Sequence, residues 1–560
     1  MGEAFYKLAC LYALKLVHDQ VRTSLGPIQF AFSSGGPESA LHILQAAIEL
    51  HPDWVIISTD ISNAFNTRSR PDILSSLFNT PESRFISSLP PCPLVIWIKF
   101  SSATNGWRGK LAADYQSCEG VRQGDVLGSL LFSLSMSPSY AACIQGTDCH
   151  AVAVVDDFYI LGPPDQAYGC FDIFKDGLPR LLLNLNLPKC ISLLPDNPTE
   201  DLIHECTSRN LQYSAFSIPA LGSILSRDPK IISDWLLAQV HKLHQPFFKA
   251  LLDPRLPAQH AFTLLRTCMV PRMNYWSRTT SPSTFAPAAQ EFDKLVLETF
   301  LRRINLDADI TDEARNQLSL PVRDGGFGLT SVALVSPAAW YSAFAQAFSR
   351  FRKLLVDHND LQDGIPFVQT LTNCFHFFGK YKFPKGSPVV LDIKQFWSDF
   401  EQKKCPRGAQ RLIMAAIYKA RAGVLLKMFP HNSTDRARLT ALSAPFAGSW
   451  LTTPPIDPLF YLPDTHFALA SRIRLGVTLF DNVKRCVCGA STQESPLHFM
   501  SCRYLNASRI IRHDKMVQTI SRIARLSGVS VHLEPKIDDE DRARGDGHLF
   551  FHAQSATLIP

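Results

Sequence analysis

Apolar positions recur every three to four residues through YKLACLYALKLVHDQV (6–21), which predicts a helix. ALHILQAAIEL (40–50) keeps the same period and meets His51-Pro52, so a second helix should stop there. GPIQFAFSSGGPES (26–39) lies between them and reads as a loop with a Gly-Gly-Pro turn. The pattern then changes. DWVIISTDIS (53–62) is a β-rich run ending on an acid, and LVIWIKF (94–100) is another strand. DVLGSLLFSLSMSPSYAACI (125–144) is an apolar helix opening from a Gly-rich loop. AVAVVDDFYILG (151–162) reads as two short strands about a tight turn, and FDIFKDGLPRLLLNLNLPKC (171–190) as a helix and then a turn. Successive strands with helices beside them predict an α+β layer structure.

From about residue 226 onward the pattern is mostly helical. PAQHAFTLLRTCMVPRMNYWSRTT (257–280) carries Arg266, Arg272 and Arg278 and no acid. Residues 331–480 are helical and aromatic, with many prolines near 446–465 that suggest a domain boundary. The last 60 to 75 residues should form a separate small unit, and no internal repeat stands out.

Composition narrows the class. A chain of 560 residues with 46% hydrophobic content can fill three or four domain cores, and 19% charged residues mark a globular chain. The net charge of +6 permits a polyanionic partner without demanding one. Most of the 14 cysteines are scattered singly, the usage of a reducing compartment. The sequence shows neither a signal-peptide pattern nor an apolar run near the roughly 20 residues of a membrane span. An intracellular, soluble protein without a membrane partner is expected.

Asp156 and Asp157 stand side by side between apolar runs. Burying adjacent carboxylates is expensive unless a cation lies between them. Mg²⁺ takes carboxylate oxygens and keeps sites for substrate phosphates. A third acid on a neighbouring strand would complete such a site, and Asp60, at the end of WVIISTD, is the candidate. Three carboxylates on adjoining strand ends can hold two metal ions about 4 Å apart. The bland alternative is a solvated turn.

STDISNAFN (58–66), EGVRQGDVLGSLLFSLSM (119–136) and VVDDFYILG (154–162) resemble motifs A, B and C of reverse transcriptases, above all those of non-LTR retrotransposons. DGLPRLLLNLNLPKC resembles motif D and IPALGSILS (218–226) the primer grip, and the resemblance covers residues 1 to about 330. It implies a right-hand polymerase: fingers and palm with an antiparallel sheet over 1–225, then a helical thumb and following segment over 226–335. A helical linker region (336–480), a zinc knuckle with a basic stretch (481–516) and the start of a restriction-like endonuclease domain (517–560) would follow. The implied activity is RNA-directed DNA polymerisation with two Mg²⁺ ions, or Mn²⁺ in their place. Template RNA, primer or target DNA and dNTPs would be the partners, in target-primed reverse transcription in the nucleus.

Carried over residue by residue, Asp60 and Asp156 bind the catalytic metals, Asp157 completes the acidic cluster, and the carbonyl of Ile61 is a further ligand. Phe65 matches the steric gate that excludes a 2′-hydroxyl. Gln123 and Gly124 approach the nucleotide or template, with Arg122 near the same surface. Lys189 matches the motif D lysine, proposed to protonate the leaving pyrophosphate. Lys7 is a candidate triphosphate contact. Arg266, Arg272 and Arg278 would contact the duplex backbone. The sequence departs from the family at Val126 and Ser129, where prolines are usual, and in lacking the stretch expected before Gly2-Glu3. An N-terminally incomplete or decayed element is therefore expected.

RCVCGASTQESPLHFMSCRYLNASRIIRHDKM (485–516) contains Cys486, Cys488, His498 and Cys502 in a C-x-C-x9-H-x3-C spacing. Three thiolates and one imidazole form a closed tetrahedral site for one structural Zn²⁺. Arg503, Arg509, Arg512, Lys515, Arg522 and Arg525 follow against only Asp514, a phosphate-contacting surface or simply a solvated helix face. The knuckle and the RHD after it resemble the C-terminal region of elements with a restriction-like endonuclease. Asp546 matches a nuclease metal ligand there, while the remaining nuclease residues do not follow before Pro560. Two rivals remain: a decayed element that only binds nucleic acid, and a self-splicing-intron maturase, which shares the palm but lacks the C-terminal layout.

Overall fold

The computed structural model describes residues 2–79, 119–121, 125–306, 310–355, 364–383, 389–401, 408–479, 485–492, 497–498, 502–533, 547–550 and 555–558. The architecture is mixed α+β. Its centre is a five-stranded sheet in the order β2-β3-β1-β4-β5, built from β1 (Val55–Thr59), β2 (His150–Val154), β3 (Asp157–Gly162), β4 (Ile191–Leu193) and β5 (Gln212–Ser214). β1 lies antiparallel to both β3 and β4, β2 antiparallel to β3, and β5 parallel to β4.

Successive strand residues point to opposite faces, and here both faces are covered. Ile56, Val152, Tyr159, Leu161 and Leu193 belong to one core. Val55, Ile57, Ala151, Ala153, Phe158 and Ile160 belong to the other. That is why these strands are almost continuously apolar rather than alternating. The first face is roofed by α2 (Gly36–Leu50), and the same core takes in the aromatic side of α7 (Val332–Leu355), including Trp340 and Phe344. The second is covered by α3 (Gly128–Ala142) and α4 (Pro164–Gly177) through Phe132, Tyr140, Phe171 and Phe174. α1 (Gly2–Ser24) buries Cys10, Val17 and Val21 in this second core.

A hairpin of β6 (Ile218–Ala220) and β7 (Ser223–Leu225) leads into the helical region. Its two-residue turn, Leu221-Gly222, has positive φ at both positions, the geometry whose twist suits a tight hairpin. Tyr275 donates its hydroxyl to the Leu221 carbonyl at 2.6 Å, and Trp276 its indole N–H to the Gly222 carbonyl at 3.1 Å. Both belong to α5 (Asn274–Thr279). The stretch before α5 is not one uniform helix. A π-helical turn (Leu265–Met269) and a 3-10 turn (Val270–Met273) fall around Pro271, which has no N–H to give to a regular ladder.

α6 (Pro282–Arg303) fills a third core with Phe285, Phe292 and Phe300. α7 touches α2, α5 and α6, together with α8 (Pro366–Gly379) and α9 (Ala409–Met428). The Pro-rich stretch 446–465 marks where the chain passes from the first core, last met at Leu439, back into the third. Leu451 lies in the same cluster as Phe262 and Phe467, the last on α10 (Asp464–Leu475). Gln259 bonds the Phe460 carbonyl at 3.0 Å and the Leu462 N–H at 2.7 Å. At the C-terminal end, α11 (Asn506–Leu526) packs on a small antiparallel sheet of β8 (Ser530–Leu533), β9 (Gly547–Phe550) and β10 (Ser555–Leu558). The strand expected at 94–100 lies outside the described residues. Among the described residues no helix is long and apolar enough to cross a membrane.

Candidate active site and metal centre

The paired acids sit on the tightest turn of the central sheet. Val154 pairs with Asp157, so β2 and β3 are joined by Val155-Asp156 alone. Val155 has φ of +60°, an uncommon conformation for a β-branched side chain. It is held by three bonds. Gln29, fully buried, accepts from the Val155 N–H at 2.9 Å and donates to its carbonyl at 3.3 Å. The Tyr140 hydroxyl donates to the same carbonyl at 3.2 Å.

Asp60 reaches this turn through register. Thr59 pairs with Phe158, so the next residues toward that end are Asp60, just past β1, and Asp157 on β3. Its main chain is fixed on both sides. The Asp60 N–H bonds the Cys190 sulfur at 3.3 Å, and the Asp60 carbonyl accepts from the Asn186 N–H at 2.8 Å. Burial pushes the Cys190 thiol up to about 11, so it remains an S–H group beneath the strand end. Ile61 bridges Leu185, with the flanking bonds made by the Asp60 carbonyl and the Ser62 N–H rather than by Ile61 itself. Lys189 places Nζ 3.8 Å from Asp60 Oδ2, both side chains being largely open to water.

Electrostatics ties the three acids together. Partial burial raises Asp156 above the usual carboxylate range, and the charge of Asp60 adds to it. Asp157 is pushed up to about 6, by desolvation first and then by the charges of Asp156 and Asp60. Tyr140 is driven well above its ordinary value by burial, then by Asp156 and Asp157. The three carboxylates repel one another, with Lys189 at the edge, and carboxylate oxygens are donors of the kind that hard divalent cations take.

Phe65 lies just beyond Asp60, in the helical turn Ala64–Thr67. Its half-buried ring stacks on Phe132 with centroids 4.8 Å apart, so packing and a gate role draw on the same ring. Lys7 occupies an exposed position on α1. Arg122, Gln123, Gly124 and Asp546 lie outside the described residues.

The three arginines of 257–280 meet different surroundings. Arg272 stacks its guanidinium over Phe247 at 5.1 Å on an exposed surface. Arg278 turns inward to Glu38 at 3.2 Å and Gln410 at 2.7 Å. Arg266 is half-buried, and burial lowers its pKa. Arg512 is exposed on α11, and Arg509 lies on the same helix.

The second centre closes as its spacing predicts. One ligand atom each from Cys486, Cys488, His498 and Cys502 lies within 4.8 Å of all the others, so the four could hold a metal ion. Cys488 Sγ is 2.9 Å from His498 Nε2, and Cys486 Sγ is 3.6 Å from Cys502 Sγ. Cys486 and Cys488 sit on one tight turn, whose Gly489 N–H returns to the Cys486 carbonyl at 2.8 Å. Three sulfurs and one imidazole nitrogen are a donor set for Zn²⁺.

Sequence reasoning identified the acids but not their supports. Gln29, Tyr140, Asn186 and Cys190 act through main-chain bonds set by sheet register, for which no local pattern exists.

No family model matches the chain. It is 23% identical over 551 residues to the retrotransposable element SLACS 132 kDa protein of Trypanosoma brucei gambiense, across 96% of this chain. The chain spans 38% of that relative's length. A solved structure of telomerase from Candida albicans, in complex with a fragment of telomeric RNA, is 15% identical over 64% of this chain and 56% of that one. Its TM-score of 0.28 is too low to establish a shared fold.

Proposed function

We propose that this chain is of retroelement origin and is an RNA-directed DNA polymerase of the non-LTR type, working by two-metal nucleotidyl transfer. The single observation that carries the reading is the register that puts Asp60 abreast of Asp157, with Asp156 on the adjoining turn. The similarity to a retrotransposable-element protein over nearly the whole chain supports it independently. In this reading residues 1–225 are fingers and palm and 226–335 the thumb. The β6–β7 hairpin grips the primer.

The reaction joins the 3′-hydroxyl oxygen of a DNA primer to the α-phosphorus of a dNTP and expels pyrophosphate. Two magnesium ions held by Asp60, Asp156, Asp157 and the Ile61 carbonyl would acidify the attacking hydroxyl and take up charge on the leaving oxygens. Lys189, with Nζ 3.8 Å from Asp60 Oδ2, would give a proton to the departing pyrophosphate. Phe65, held flat against Phe132, would clash with a 2′-hydroxyl and so select deoxynucleotides. Gln123, Gly124 and Arg122 would contact nucleotide and template. Template RNA and a nicked DNA target in the nucleus are the partners of this reading. One zinc ion folds the C-terminal knuckle, with Arg509 and Arg512 after it contacting phosphate and Asp546 a metal ligand of a nuclease.

Primer extension on an RNA template with dNTPs tests it. The chain should extend the primer, and Asp156→Asn should lower the rate by about a thousand-fold or more while template-primer binding stays. A wild-type chain that binds template-primer but does not extend it would instead be a decayed, nucleic-acid-binding element.

A further inference from the structure

A cavity of about 540 Å³ opens between the turn at 265–273, α5, α7 and the first turn of α9. That size falls in the range of roughly 300–1,000 Å³ usual for small-ligand pockets. Arg266, Arg278 and Arg411 line it, and no aspartate or glutamate is among the described residues that do. The three guanidinium groups are not equivalent. Arg278 is offset by Glu38 and fixed by Gln410. Arg266 has a buried Nε with no hydrogen-bond partner among the described residues, and burial is the one influence on its pKa. Arg411 stands exposed at the third position of α9 and makes no ion pair among the described residues.

A half-buried guanidinium without an acid bears a desolvation cost that an anion would offset. Its planar fork matches phosphate oxygens. The rest of the wall supplies a different chemistry. Val335 and Met414 are apolar, and Tyr418 adds an aromatic ring. Arg411, Met414 and Tyr418 share one face of α9, so cationic, apolar and aromatic groups line one cavity, a set that matches a phosphate attached to a nucleobase.

We propose that this cavity binds a nucleotide, held by its phosphate on Arg266 and Arg411 and by its base against Val335, Met414 and Tyr418. The nucleotide is either free or a unit of a nucleic-acid strand. None of the three catalytic candidates lines the cavity, so the site is separate from the acidic turn, although Arg266 and Arg278 are also the duplex contacts that the polymerase resemblance implies.

Titration of the full chain with AMP, and with an oligoribonucleotide carrying either a 5′-phosphate or a 5′-hydroxyl, tests the proposal without added magnesium. The readout is calorimetry for AMP and fluorescence anisotropy for the oligonucleotides. Arg266→Gln and Arg411→Glu should each weaken binding of the phosphorylated probe at least about ten-fold. Arg411→Glu is the safer variant for folding, because an acid in a first helical turn is favourable. Asp156→Asn should leave this affinity unchanged, which separates the cavity from the polymerase site. A preference for the 5′-phosphorylated strand over AMP identifies a strand as the source, and equal affinity identifies the free nucleotide. Unchanged affinity in Arg411→Glu, or no saturable binding of any phosphorylated probe by the wild-type chain, overturns the proposal.

Discussion

Gln29 grips Val155 at both of its main-chain polar groups, accepting from the N–H at 2.9 Å and donating to the carbonyl at 3.3 Å. Its Oε1 also accepts from the Ala31 N–H at 3.1 Å, so the amide is anchored in its own loop. The loop is stitched to β2 as well, through Phe30 N–H to the Ala153 carbonyl and Ala153 N–H to the Ile28 carbonyl. A side chain 126 residues upstream therefore holds the strained residue that precedes Asp156.

Gln29→Ala should then damage the acidic turn more than the fold. Small misplacements of reacting groups cost up to about a hundred-fold in rate. Primer extension should fall by ten-fold or more, with a stability loss of about 1–3 kcal/mol from the Val155 N–H that loses its partner. Gln29→Glu keeps the bond from the Val155 N–H but leaves the carbonyl with the Tyr140 hydroxyl as its donor, so it should rescue the rate incompletely. An Ala variant with wild-type extension would show that the turn holds itself.

Arg68 offers a purely structural contrast. Its guanidinium is buried and bonds Ser135 Oγ at 3.1 Å, the Ser135 carbonyl at 3.2 Å and Asp72 at 2.7 Å. It thus ties the segment after Phe65 to α3. Removing one partner of a buried, hydrogen-bonded charge network costs about 3–5 kcal/mol. Arg68→Ala should lower the denaturation midpoint by a corresponding amount, and Arg68→Lys should recover only a fraction, since an ammonium cannot span the same acceptors. Urea unfolding measures both.

The legible regions of this molecule are those with a local signature. The strands 55–59, 150–154 and 157–162 announce themselves as apolar runs bounded by turns, and the acids are conspicuous because they interrupt such runs. α2 ends at His51-Pro52, where the proline stops the helical period. The metal centre follows from ligand spacing within 17 residues, Cys486 to Cys502. What stayed hidden depends on long-range placement. The core that covers one sheet face joins Phe30 and Leu44 to Phe344, Phe375 and Tyr418, so a segmentation by composition misses it. Arg266, Arg272 and Arg278 form one basic stretch in sequence, yet helical rotation and a π-turn put Arg272 over Phe247 at the surface while Arg266 and Arg278 line one cavity.

The cysteine-histidine centre yields a metal prediction. The purified chain should carry about one zinc per molecule by mass spectrometry of the metal. Cys488→Ser should lose it, because Cys488 and His498 lie 2.9 Å apart and an alcohol is a poor ligand beside an imidazole. Chelation should expose the 485–502 segment to proteolysis while the central sheet stays protected, since structural zinc supplies folding energy locally. Full metal content in Cys488→Ser would remove that thiol from the ligand set.

Glu49 supplies a pH dependence with a definite sign. It ends α2, where a carboxylate faces the unfavourable end of the helix dipole. Its Oε2 accepts from the Phe367 N–H of α8 at 2.9 Å, and its Oε1 from Gln45 at 3.2 Å. Burial outweighs both bonds and pushes the carboxyl from 4.5 up to about 7. His42 lines a cavity together with Glu49 but is held near 4, mainly by burial, so it stays neutral over the relevant range. The folded chain thus keeps a proton on Glu49 that the unfolded chain releases near 4.5. This contribution is complete below that value and is lost as pH rises through 7, a change on the order of 3 kcal/mol. Glu49→Gln holds the neutral form at every pH. It should match wild type near pH 5 and exceed it at pH 8, with the gap opening between the two. Denaturant melts of both proteins across pH 5–8 read this directly, and parallel curves would mean that Glu49 ionises in the folded chain as it does in water.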